Sequence, residues 1–171
     1  MMLKKRNLAT IAIALVIASI GQVGVAQAAV RPTLAQKLQL QYLVEEEKLA
    51  RDVYAYFAAN VTSMKFANIA RSEQTHMDQI AAILKTYKYF NPTLTRAPGV
   101  FRDASLQSLY NELIASGKVG IVEAFEVGVA IELLDIKDIE EMLEDSMPAD
   151  MKYALGRLLA GSKNHLAAFS S

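Results

Sequence analysis

The sequence predicts an all-α fold, a four-helix bundle with a long crossover between helices 2 and 3 that carries one short extra helix. Three observations predict it. Four long stretches repeat their apolar residues at steps of three and four, the period of one face of an α-helix. The connection between the second and third stretches, about residues 89–118, is too long for a turn between antiparallel neighbours. Each of the four stretches also sets an acid, a histidine or both within its apolar stripe.

Ahead of the bundle, residues 1–28 read as a secretory signal peptide. Lys4, Lys5 and Arg6 open it, Leu8–Ile20 is an uncharged apolar run, and Ala26-Gln27-Ala28 fits the small-x-small cleavage pattern. An uncleaved membrane anchor is the alternative, but the run is shorter than the roughly 20 residues a span needs. There is no twin-arginine pair and no cysteine for lipid attachment. Export of an unfolded chain to the periplasm or beyond is therefore expected. Residues 29–171 remain as one domain, long enough for a real core. The whole chain balances 18 basic against 18 acidic residues, so losing the three basic residues of the signal leaves it mildly acidic. No basic patch calls for nucleic acid. The absence of cysteine excludes disulfides, thiolate metal sites and cysteine nucleophiles. With two histidines in the chain, any metal site must be rich in carboxylates.

The first helix is expected over Leu34 to about Asn60, with Thr33 as N-cap. Leu40, Leu43, Ala50, Tyr54 and Phe57 form its stripe, and Glu47 falls in that series. Glu45 and Glu46 point away from the stripe and read as a solvated face. A turn at Asn60–Ser63 leads into the second helix, about Met64 to Lys88, with Phe66, Ile69, Ile80 and Ile83 inward. Asn91-Pro92 and Pro98-Gly99 mark irregular chain beyond it. Within the crossover, Ser105–Ser116 reads as a short helix introduced by Asp103 and closed by Gly117. The third long helix is expected over about Gly120–Asp145, with Phe125, Val129, Ile136, Ile139 and Leu143 as its stripe and Glu132 and Asp135 within it. Ser146 and Pro148 mark the start of the last helix, about Ala149–Phe169, which carries Ser162 and His165 on its apolar side. A bundle whose one long crossover joins its second and third helices has the ferritin-like arrangement.

The chemistry centres on Arg71-Ser-Glu-Gln-Thr-His-Met77. Glu73 and His76, three residues apart, stand as neighbours on one helix face, inside an apolar stripe. Burying an unpaired carboxylate costs several kcal/mol, so something must compensate it. Each charge has a plain structural reading on its own: Glu47 or Glu73 paired with Arg51 or Arg71, a hydrogen-bonded core histidine, Asp135 as a helix-face charge. Taken together, the four helices bury charge with hardly a cation on those faces. A divalent or paired metal centre balances several carboxylates at once, whereas a metal-free polar network must do so by hydrogen bonding.

These residues bear a family likeness. The chain resembles the ferritin-like superfamily on its rubrerythrin side, and in particular an uncharacterised ferritin-like family of unknown function. The likeness rests on Glu-Glu-Lys-Leu-Ala-Arg-Asp-Val-Tyr (46–54), Ser-Glu-Gln-Thr-His (72–76), Val-Gly-Val-Ala-Ile-Glu-Leu-Leu-Asp-Ile (127–136) and Gly-Ser-Lys-Asn-His-Leu-Ala-Ala-Phe (161–169), and covers about Leu38 to Phe169. It implies a dinuclear iron or manganese centre. Glu73 would bridge, Glu47 and Glu132 would be terminal ligands, and His76 and His165 would give ring nitrogens. The second Glu-x-x-His of the pattern is broken here: Ser162 stands where the glutamate belongs. Asp135 compensates, or Ser162 holds a water, or the site takes a single metal. Zinc and copper compete on affinity.

The resemblance further implies redox work on peroxide, dioxygen or ferrous iron, a peroxidase-like or ferroxidase-like oxidoreductase. Tyr54 would hydrogen-bond a ligand or carry an oxidising equivalent; its alternative is a core tyrosine with a satisfied hydroxyl. Expected partners are metal ions, the small oxidant or ferrous iron as substrate, a second copy of the chain in a homodimer, and the membrane only through an uncleaved signal. A non-catalytic metal-binding protein of the cell envelope and a metal-free helical interaction module are the other two readings.

Overall fold

The computed structural model describes residues 30–171; the expected signal peptide lies outside them. The described residues form five helices and no strand: α1 (Leu34–Asn60), α2 (Met64–Thr86), α3 (Ala104–Gly117), α4 (Ile121–Glu144) and α5 (Ala149–Phe169). None is long and apolar enough to cross a membrane.

Local chemistry sets the helix ends. Thr33 caps α1 in a reciprocal box, its hydroxyl accepting from the Gln36 N–H while the Gln36 side chain accepts from the Thr33 N–H. The same Gln36 amide donates to the Ser146 carbonyl and so ties the start of α1 to the loop before α5. Ser63 caps α2, and Asp103 caps α3 by accepting from the Ser105 and Leu106 N–H groups. The second helix stops at Thr86, two residues short of the expected end. Lys88 takes φ 58°, and the N–H groups of Lys88 and Tyr89 turn back to the Lys85 and Leu84 carbonyls. This is a Schellman closure with lysine in the left-handed position that glycine usually fills.

α1 packs along α2 and α4 along α5, and contacts between α1 and α4 and between α2 and α5 join the two pairs. α3, within the crossover, lies against α1 and α4. Both cross-pair contacts are antiparallel. Tyr54, late in α1, meets Gly128, early in α4, and Phe66, early in α2, meets Phe169 at the end of α5.

Two apolar clusters close the interior at opposite ends. At one end Tyr54, Phe57, Phe66 and Phe169 interlock with ring centroids 5.1–6.2 Å apart, backed by Phe101 and Leu106 of the crossover. At the other, Leu40, Leu43, Ile80, Leu84, Ile139, Met151, Leu155 and Leu158 form an aliphatic plug. Burying each such side chain stabilises the fold by about 1.5–3 kcal/mol. The polar residues lie between the plugs.

Two expectations about helix faces need correction. The buried face of α4 runs through Ala124, Val127, Gly128, Ile131, Glu132, Asp135, Ile139 and Met142, while Phe125, Val129 and Leu143 flank it half-buried. The rotation follows from Gly128, where a Cβ would come within 2.8 Å of the Phe169 ring. Gly117 is likewise not a left-handed cap. It ends α3 against Phe57, where a Cβ would stand 2.2 Å from the ring.

Candidate metal centre

Four helices deliver Glu47, Glu73, His76, Glu132, Asp135, Ser162 and His165 to one buried layer, with Tyr54 at its edge. Glu47, Glu73 and Glu132 are each 1% exposed. Their burial follows from the apolar spacing already described, since each occupies a core position of its helix.

Glu73 lies at the middle. Its Oε2 is 2.8 Å from His76 Nδ1 and its Oε1 is 2.7 Å from His165 Nδ1. On one side Glu47 Oε2 stands 3.3 Å from His76 Nδ1, and on the other Glu132 Oε2 stands 3.6 Å from His165 Nδ1. The layer is thus two half-sites, each with a terminal glutamate and an imidazole, sharing the Glu73 carboxylate. The imidazole rings stack with centroids 5.4 Å apart. One donor atom each from Glu73, His76 and His165 falls within 4.8 Å of the others.

The donor atoms converge without satisfying one another. Glu73 Oε1 and His165 Nδ1 are in close contact, yet neither has a partner in hydrogen-bonding geometry, and Glu47 Oε1 and Asp135 Oδ1 are also buried without one. Buried polar atoms are nearly always paired, so the close donor atoms of Glu73, His76 and His165 fit a cation among them. Nitrogen and carboxylate oxygen are suitable donors for iron, manganese or zinc.

Surrounding groups hold these donors in place. His165 Nε2 lies 2.9 Å from Ser72 Oγ, which can take the Nε2 proton and leave Nδ1 free to donate to a metal. The Tyr54 hydroxyl donates to Glu132 Oε1 at 2.7 Å. Burial, together with the Glu132 charge, keeps that phenol protonated well above its ordinary range. The Ser162 hydroxyl donates to Asp135 and lies 3.1 Å from the Leu158 carbonyl. Gly161 makes room for His76: a Cβ there would fall 2.4 Å from Nε2. The sequence reading gave Ser72 and Gly161 no role, although both lie in the quoted motifs. The usable signal was helical spacing, since Ser72 lies four residues before His76 and Gly161 four before His165.

Without metal, the layer neutralises itself by holding protons. Burial works against charge on His76, but the Glu47 and Glu73 carboxylates outweigh it and bring the imidazole up to about 10. Glu132 and Glu73 likewise bring His165 to about 9 against its burial. Burial alone would raise Glu73, but the two imidazolium groups in contact with its carboxylate lower it to about 2. Burial dominates at Glu47, raised to about 8, and at Glu132, raised to about 6. Asp135 is also raised by burial, with Glu47 adding to the effect.

The arginines do not supply the missing cation. Arg51 pairs with Asp52 and Gln74, and Arg71 with Asn68. Glu45 and Glu46, expected to be solvated, are each 3% exposed. The crossover covers Glu45, which accepts the Arg102 and Asp103 N–H groups, while Lys48 reaches the Ala97 carbonyl and Asp52 accepts the Gly99 N–H. Both oxygens of Glu46 lack a partner.

A family model described as an uncharacterized protein domain, DUF2202, matches residues 36–171, which include every residue of this layer. The chain belongs to the DUF2202 family. The uncharacterized protein MJ0754 of Methanocaldococcus jannaschii is 41% identical over 125 residues, covering 73% of this chain and 68% of that one. The crystal structure of hypothetical protein MJ0754 from Methanococcus jannaschii aligns with a TM-score of 0.79 at 38% identity, covering 81% of this DUF2202 chain and 79% of the other.

Proposed function

We propose that this DUF2202 protein is a ferritin-like four-helix bundle, exported from the cytoplasm, that holds a dinuclear carboxylate–histidine metal centre for redox chemistry. The two half-sites that share Glu73 support this reading more than any other feature. α1, α2, α4 and α5 would be the bundle, with the α2–α4 connection as the crossover. Glu73 would bridge, Glu47 with His76 and Glu132 with His165 would complete the two positions, and Asp135 would supply the carboxylate that Ser162 does not. Four carboxylates against two divalent cations give a neutral layer, the condition burial demands.

A pair of iron or manganese ions would supply electron transfer to peroxide or dioxygen, with ferrous iron as an electron donor. The chain's own residues would bind and orient. The apolar plugs exclude bulk water, Ser72 fixes the His165 tautomer, and the Tyr54 hydroxyl steadies Glu132. The test is to load the domain anaerobically with ferrous iron and follow consumption of peroxide or dioxygen beside Glu73→Ala. Consumption that needs Glu73 supports the oxidoreductase; metal held with no turnover makes the protein an envelope metal binder. A second reading, one ion on Glu73, His76 and His165, is favoured by the tightness of that trio.

A further inference from the structure

Beside the buried layer, a groove of about 690 Å³ opens between α1, α4 and the crossover. Gln39, Tyr42 and Glu46 line it from one face of α1, at spacings of three and four, and Asp138 and Glu141 face them from α4. Most acids around it are already engaged. Glu45 holds the crossover backbone, and Asp138 and Glu141 share Lys137 at the surface. Glu46 is not engaged: it is 3% exposed, and neither carboxylate oxygen has a partner. Gln39 Oε1, on the same face, is also buried and unpartnered. Burial works most strongly against charge on Glu46, the Asp135 and Asp138 carboxylates add to that, and Lys137 offsets them only in part. An uncompensated carboxylate beside two others is costly unless a cation joins it.

We propose that the groove is an outer divalent-cation site built on Glu46 and Asp138, from which ions pass by way of Asp135 to the buried centre. The passage rests on the proposed metal centre; the outer site does not. The carboxylates and the Gln39 amide oxygen are donors of the kind hard divalent ions take, while Arg102, also in the lining, stacks on Phe90. The apolar plugs close the bundle at both ends, so an ion must come through a side wall, and this one carries the acids. Glu46 and Glu47 are consecutive on α1, so the chain that lines the groove also lines the centre. Asp135 is near enough to both for its charge to bear on Glu46 and that of Glu47 to bear on it, and one of its oxygens is held by Ser162 while the other is unpartnered.

Manganese(II) is the probe, with the free ion followed by electron paramagnetic resonance. Glu73→Ala removes the shared ligand of the centre and should still bind one ion, which the double variant with Glu46→Gln should lose. Glu46→Gln alone should reach the wild-type ion count at the centre, but load it roughly tenfold more slowly. Asp138→Asn, at a half-buried position outside the core, should weaken the outer ion in the same way. The proposal is overturned if Glu73→Ala binds no manganese, or if Glu46→Gln loads at the wild-type rate. Failure of the centre reads differently: wild type and Glu73→Ala would then bind equal numbers of ions. Helical circular dichroism of each variant separates loss of a site from loss of the fold.

Discussion

Metal binding at this layer should release protons, and the number follows from the structure. At pH 7 the metal-free layer holds one proton on His76 (about 10), one on His165 (about 9) and one on Glu47 (about 8), and burial raises Asp135 in the same direction. Glu73, at about 2, and Glu132, at about 6, are mainly ionised. Two imidazoliums then balance two carboxylates. Two divalent ions need all four carboxylates ionised and both imidazoles neutral, so loading should expel at least about three protons per pair of ions, from His76, His165 and Glu47. Apparent affinity should therefore rise steeply with pH between about 6 and 9. Calorimetry in buffers of different ionisation enthalpy measures the release directly. Release of fewer than about two protons would refute the reasoning, because the imidazoles would then already be neutral.

The same protons set the stability of the metal-free protein. His76 and His165 are raised on folding, so their contribution is complete below about 6.5 and is lost as pH climbs through 9 to 10. Glu47 is raised too, so its ionisation at higher pH acts in the same direction. Glu73 is lowered; its contribution is present above about 4.5 and is lost as pH falls toward 2. Thermal melts of the metal-free domain should show the midpoint falling from pH 7 to 10, with metal-loaded protein largely spared. Gly161→Ala should push the His76 ring out of place, lowering the ion count or weakening the Glu47–His76 position while the helices persist by circular dichroism. Ser72→Ala removes the hydroxyl facing His165 Nε2 and should lower metal affinity about 10- to 100-fold, measured by competition with a chelator. Tyr54→Phe should cost about 1.5–3 kcal/mol in denaturant melts at neutral pH, less once Glu132 is protonated below about 6, with the ion count unchanged.

Much of this was legible in the residues because helices announce themselves by period and caps. α1 and α5 span the expected residues, and Asp103 caps α3 as anticipated. The grouping of Glu47, Glu73, His76, Glu132 and His165 was legible for the same reason: a charged group in an apolar stripe must face its counterparts across the core. What escaped was set by contacts between elements. Nothing within α1 tells that the crossover lies over Glu45 or that Glu46 is buried, since their spacing is that of a solvated face. Gly117, Gly128 and Gly161 act through the rings they admit, Phe57, Phe169 and His76, and a missing side chain carries no periodic signal. Ser72 acts through His165, ninety-three positions away, a pairing that the pattern within α2 does not carry.

The central claim is that Glu73 joins two metal positions, and elemental analysis of the purified, untagged domain, beside a Glu73→Ala, His76→Ala variant, tests it most directly. About two more iron or manganese ions per chain are expected in the wild type than in the variant, which keeps at most the outer ion. One zinc or copper per chain would contradict the dinuclear claim, and no metal in either protein after reconstitution would contradict the metal centre itself.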